Sequence, residues 1–243
     1  MSKLDIKKKV NIRGLIRQLK KKDFEVYDKP FQLNIVGVRA NSTVPNNFDD
    51  IIYVFYKNDN NQWVGKAFAA TTDTGTYWLK NPMNSAGSAL LKEGQYKNTY
   101  KIGLHNSKSA GITYNALTQK LGEVTVYRDY NRDAILDFDN GKEQTGMFGI
   151  NIHKAKGQGI TKTVDEYSAG CQVFKNADDF AEFMVMANKQ KDLYGNKFTY
   201  TLIDERAYVR SVRRYGVYVA VGVAIIASIV GFKHFKKTII PKV

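Results

Sequence analysis

Short runs of β-branched and aromatic residues recur through the middle of the chain. They read FQLNIVGVRA (31–40), DDIIYVFYK (49–57), QWVGKAFAATT (62–72), GEVTVYRDY (122–130), FGINIHKA (148–155) and KFTYTLID (197–204). Side chains of this kind fit a pleated, half-buried surface, so each run predicts a strand. Asn, Asp and Gly break the runs, as in KNDNNQ and TTDTGT, where the backbone is expected to turn. One stretch has a helical period instead. In NADDFAEFMVMANKQKDLYG (176–195), Phe180, Phe183, Met184 and Ala187 share a face, Asn176 or Asp178 stands where an N-cap is expected, and Gly195 where a helix ends. With no internal repeat or low-complexity tract in the sequence, the pattern predicts one mainly β domain over residues 24–205 with few helices.

Both ends differ from this middle. Residues 1–22 hold nine Lys/Arg against one Asp, residues 206–243 hold eight and no acid, and the part between carries a net charge of −2. The formal charge of +14 therefore sits at the ends. That excludes a basic face on the domain, and no nucleic-acid partner is expected. In residues 1–23, Val10, Ile12, Leu15, Ile16 and Leu19 approximate one face of a helix with Lys and Arg elsewhere. Such a helix either packs on the domain or lies on an anionic membrane. It does not read as a signal peptide, since it has no apolar stretch followed by small residues. At the other end, YGVYVAVGVAIIASIVGF (215–232) is 18 residues without a charge, between RSVRR and KHFKK. As a helix it would measure about 27 Å, near the ~30 Å hydrocarbon core of a bilayer. The basic flanks and edge aromatics predict a C-terminal transmembrane helix within 206–243, so membrane association is expected.

Candidate chemistry concentrates in HKAKGQGITKTVDEYSAGC, from His153 to the chain's single cysteine, Cys171. One cysteine excludes a disulfide framework, and one Cys with three His is too few for a closed structural zinc site. An imidazole within reach of a thiol can take its proton, and the resulting ion pair is expected to lower the thiol pKa. Gly170 permits an unusual backbone angle beside the sulfur and leaves the Cys171 amide open to an oxyanion. Taken blandly, the same residues are a buried thiol and a structural histidine.

The stretch resembles the catalytic motif of the L,D-transpeptidases (YkuD-like), a His followed after 14 to 17 residues by Ser or Thr, His, Gly, Cys. Here His153 is followed after 14 residues by Ser168-Ala169-Gly170-Cys171, and GINIH resembles the approach to that family's first histidine. The order His before Cys is unlike papain-like peptidases. Two departures stand out: Ala169 replaces the second histidine, and Gln172-Val173-Phe174 lacks the usual polar Asn or Arg two places after the cysteine. The resemblance implies a β sandwich or barrel with Cys171 at a rim. Its substrate would be the stem peptide of peptidoglycan. Cys171 would be the nucleophile, His153 its base, and Ser168 would shape the loop; no cofactor is required. It leaves transpeptidation, hydrolysis and loss of activity open. The competing expectation is a non-enzymatic, membrane-anchored structural or binding protein on the same scaffold. His105, in KIGLHNSK, is expected in a loop, where it either supplies a second imidazole or does nothing chemical.

A separate motif, DYNRDAILDFDN (129–140), sets Asp129, Asn131, Asp133 and Asp137 at positions 1, 3, 5 and 9 of an EF-hand-like loop, with the Ile135 carbonyl at position 7. Ala134 replaces the usual glycine and Asn140 the bidentate Glu. The alternatives are a weak calcium loop and an Asp/Asn-rich turn. Peptidoglycan lies outside the membrane while the chain starts without an export signal. Delivery by a phage virion would reconcile the two, and TTDTGTYWLKNPMN and SAGCQVF resemble segments of phage proteins; insertion directed by the C-terminal segment itself is the other route.

Overall fold

A computed structural model describes residues 11–138 and 142–205. The expected membrane span, the first ten residues and Asn140 lie outside the described residues. Eight strands close into a barrel: β1 (Asn34–Arg39), β2 (Asp50–Lys57), β3 (Trp63–Thr71), β5 (Gly94–Ser107), β6 (Ile112–Gln119), β9 (Ile152–Lys154), β10 (Gln172–Phe174) and β11 (Phe198–Asp204). Around the barrel the order is β1-β11-β5-β6-β9-β10-β3-β2. A separate three-stranded sheet holds β4 (Ser88–Leu91), β7 (Val124–Asp129) and β8 (Glu143–Gly146) in the order β4-β7-β8. The described helices are α1 (Ile12–Lys21), α2 (Thr76–Lys80) and α3 (Ala177–Tyr194). The mainly β expectation holds, and of the two expected forms the barrel is the one observed.

The two-residue period of a strand explains why β1 and β2 are apolar on both faces. Ile35, Ile52 and Val54 enter the main core with Phe68, Tyr100, Phe174 and Tyr200. Their neighbours Val36 and Phe55 point outward and meet Leu15 and Leu19 of α1. The helix begins at Asn11, whose side chain accepts from the Gly14 amide at 2.9 Å. Its apolar face thus packs on the barrel, with Leu19 only 1% exposed; of the two expectations for this segment, packing on the domain is the one the fold contains. Helix α3 is capped by Asn176 and ends at Gly195, and Phe180, Phe183, Met184 and Ala187 join the main core.

β9 holds His153, and β10 begins one residue after Cys171. They run parallel, Ile152 beside Gln172 and His153 beside Val173. Parallel neighbours cannot be joined by a tight hairpin and need a crossover of about a dozen residues or more. Residues 155–171 form that crossover. The spacing between His153 and Cys171 is therefore the length of a connection between two parallel strands.

Candidate functional site

Cys171 stands one residue before β10, partly exposed. Its sulfur accepts the Asn151 amide at 3.4 Å and approaches the Gly149 carbonyl at 3.6 Å. The loop before it is held from several sides. The Ser168 hydroxyl lies 2.7 Å from the Asp73 carbonyl and 2.9 Å from that of Cys171, and it accepts the Gly170 amide at 3.2 Å. Gly170 has φ +120, and a Cβ there would collide with the Ala89 carbonyl oxygen; both facts demand glycine. The Gly170 amide is thereby occupied, whereas the Cys171 amide has no hydrogen-bond partner among the described residues. Behind this loop, buried Arg39 pairs with Asp73 at 2.7 Å and donates to the Leu91 carbonyl at 2.9 Å. The arginine thus braces the segment that receives Ser168.

His153 is buried. Its Nδ1 lies 2.8 Å from the Lys154 carbonyl, which can only accept. The ring proton is therefore on Nδ1, and Nε2 carries the lone pair, the arrangement a general base requires. The Tyr114 hydroxyl donates to the same carbonyl at 2.8 Å and lies 3.4 Å from Nδ1.

The structure corrects the expectation for His105. It is a strand residue, in β5 opposite Tyr114, and its ring stacks on His153 with centroids 4.1 Å apart. Asn151 ties the group together: its side-chain nitrogen lies 3.1 Å from His105 Nδ1, and its backbone amide meets the Cys171 sulfur. Three segments distant in sequence thus meet around Asn151. Sequence reasoning left His105 undecided and passed over Asn151, whose only sequence signal is its place in GINIH.

Electrostatics gives a second correction. Burial pushes the Cys171 thiol up to about 11. Burial, followed by the charge of neighbouring His105, pushes His153 down to about 3, and burial lowers His105 as well. No hydrogen bond joins the Cys171 sulfur to the His153 ring. The resting pair is a neutral thiol and a neutral imidazole, and the expected thiolate–imidazolium pair is absent from it. The physical reason is that His153 is buried and Cys171 only partly exposed, and an ion pair between them lacks hydrogen bonds to stabilise it.

The crossover lines a cleft of about 530 Å³ with Lys156, Thr161 and Tyr167, opposite Tyr77 and Ser109. Neither Cys171 nor His153 lines it. A smaller cavity of about 200 Å³ is lined in part by Ala169, from the loop before Cys171, and by Ile150.

The expected calcium ligands run from Asp129, the last residue of β7, into the loop that follows. Asp129 is buried, and one of its oxygens accepts the Asp137 amide at 3.1 Å. The Asn131 side-chain nitrogen donates to Asp133 at 3.0 Å and to Asp137 at 2.6 Å. Burial, followed by the nearby Asp137 and Asp133 carboxylates, leaves Asp129 raised to about 6. Among the described residues no group of three or more His, Cys, Asp or Glu is disposed to hold a metal ion, and no helix is long and apolar enough to cross a membrane.

No protein-family model, curated protein or solved structure matches the chain.

Proposed function

We propose that this protein is a peptidoglycan-active cysteine enzyme acting on L,D-peptide bonds of stem peptides through an acyl-enzyme on Cys171. The observation that carries the reading is the parallel pairing of β9 and β10. It brings a partly exposed cysteine beside the strand of a histidine whose Nε2 is free to accept a proton.

Chemistry from a neutral pair begins with substrate. As the peptide carbonyl approaches the sulfur, the thiol proton passes to His153 Nε2 and the sulfur attacks the carbonyl carbon at the L-centre. The oxyanion that forms takes the Cys171 amide as donor. When the C–N bond breaks, the imidazolium returns its proton to the departing amine of the D-residue, leaving a thioester. An amine from a second stem peptide completes transpeptidation and water completes hydrolysis. His105, stacked on His153, opposes charge on that ring, so the imidazolium is formed only transiently. Ser168 and Gly170 set the loop geometry, and the reaction calls for no metal or cofactor. The C-terminal segment 215–232 would hold the enzyme at a membrane, and a virion is its proposed carrier before host entry. A weak calcium site in the Asp129–Asp137 loop would be accessory.

One observation favours a second reading. A thiol raised to about 11 with no bond to imidazole suits a non-enzymatic binding protein that retains the scaffold. Incubation with defined muropeptides, followed by mass analysis of the products, separates the two. The enzymatic reading expects new crosslinked or shortened stems that Cys171→Ala abolishes and His153→Ala reduces by about 10²- to 10⁴-fold. Unchanged muropeptides with the intact protein favour the binding reading.

A further inference from the structure

The loop after β7 contains an atom that the fold leaves without a partner. Asp129, the last residue of β7, is 1% exposed. Its Oδ2 accepts the Asp137 amide at 3.1 Å, so the carboxylate faces the loop. Its Oδ1 is buried and has no hydrogen-bond partner, and Asp129 forms no ion pair among the described residues. A carboxylate oxygen taken from water without a donor is costly unless something positive joins it. Asp50, equally buried, shows the contrast: one of its oxygens accepts the Ala40 amide, the other the amide and hydroxyl of Thr72.

Oxygen-bearing side chains surround the orphan atom's end of the loop. Asp133 and Asp137 converge on the Asn131 side chain, whose nitrogen donates to them at 3.0 and 2.6 Å. As the loop stands, the three carboxylates do not enclose one point. A half-turn of the Asn131 amide replaces its nitrogen by its oxygen and lets a cation take the donor's place between the carboxylates. The glycine usual at the sixth position is not needed for the turn, because Ala134 there adopts φ +64. Calcium accepts such a set of oxygens in flexible geometry, whereas magnesium demands a near-ideal octahedron.

Packing joins this loop to the sulfur. Leu136 and Phe138 are buried with Leu79 of α2 and Leu90 of β4. The Arg39 guanidinium lies 4.8 Å from the centre of the Phe138 ring, and Arg39 pairs with Asp73. The Asp73 carbonyl receives the Ser168 hydroxyl at 2.7 Å, and Gly75, just before α2, donates its amide to the Ser168 carbonyl at 2.9 Å. Two routes thus lead from the loop to the residue that fixes the turn before Cys171.

We infer that a calcium ion held by Asp129, Asn131, Asp133, the Ile135 carbonyl and Asp137 anchors Leu136 and Phe138 and so steadies the Ser168–Cys171 turn. Without a bidentate carboxylate at the twelfth position its affinity falls at the weak end, roughly 10⁻⁴ to 10⁻³ M. The ion is a structural effector and takes no part in breaking bonds. Its consequence for catalysis rests on Cys171 being the nucleophile; the ion site and its link to the turn do not.

The test uses the full-length chain and calcium chloride. Calorimetry is expected to show saturable calcium binding, with magnesium binding, and calcium binding to Asp133→Asn, each weaker by about 10-fold or more. Asp133 is exposed, so that variant should fold, and the calcium–magnesium comparison needs no variant. Hydrogen exchange in millimolar calcium is expected to slow at residues 129–138 and also at 73–75 and 168–171, and Asp133→Asn should remove both effects. Absence of saturable binding at millimolar calcium, or protection confined to 129–138, overturns the inference. Stem turnover is expected to be about 5-fold or more higher with calcium than with chelator; equal turnover in the two overturns the effector role. Protection of 168–171 by calcium with no stem turnover supports the inference and removes the enzymatic reading. Turnover through Cys171 with no calcium binding does the reverse.

Discussion

A thiol that is only partly exposed and has a single amide as donor holds its proton; Cys171 is in that position. Its alkylation by iodoacetamide should therefore be slow near neutrality and rise with pH toward about 11. An inflection below the ordinary thiol value of about 8.5 would mean that a thiolate–imidazolium pair forms without substrate, contrary to the geometry. His153 and Cys171 could be singled out along the chain by their residue types and by the spacing of the motif they resemble, and the structure sets them on neighbouring parallel segments. Their charge states were not, since these depend on what else crowds around them. His105 comes from β5, Asn151 closes the group from below β9, and neither position carries a local sign of the contact.

At the scale of elements, the predicted strands with dense branched or aromatic residues are β1, β2, β3, β7, β9 and β11. The missed ones have other compositions. β5 reads GQYKNTYKIGLHNS and β6 reads ITYNALTQ; polar residues occupy much of both because parts of their surfaces face solvent. β4, β8 and β10 are four residues or fewer, too short to display a period, and β10 forms where its neighbours supply hydrogen bonds. The loop after β7 makes a testable contribution. Asp129 is raised from an unfolded value of about 3.9 to about 6 by burial and then by its acidic neighbours. Below the lower value both states are protonated. Between the two values the folded state keeps a proton that the unfolded state has released, so stability falls as pH rises through this window and stays lower above it. In chelator-containing buffer, Asp129→Asn should raise the melting temperature at pH 7 and change it little below pH 4. A lowering at pH 7 that is absent below pH 4 would mean instead that the carboxylate stabilises the loop.

For the whole molecule, the sequence reveals a near-neutral β domain between two basic ends, and the barrel takes in α1 as part of itself. Because the apolar face of α1 covers Val36 and Phe55, the helix has little apolar surface to offer a bilayer. Deleting 206–243 should then abolish co-sedimentation with anionic liposomes; persistent binding would return the membrane role to the N-terminal region. Closure of the barrel was not legible strand by strand, because it depends on which distant edges meet, β11 against β5 and β10 against β3. That closure also brings β9 and β10 side by side, and the account depends most on what this pairing does to one sulfur. The direct measurement is the intact mass of the protein quenched within a turnover of a defined tetrapeptide stem, with the adduct located by peptide mapping. The account predicts a thioester adduct on Cys171 equal to the stem without its terminal D-residue, absent in Cys171→Ala and strongly reduced in His153→Ala. Stem turnover with no adduct on Cys171, or turnover undiminished in Cys171→Ala, would contradict it.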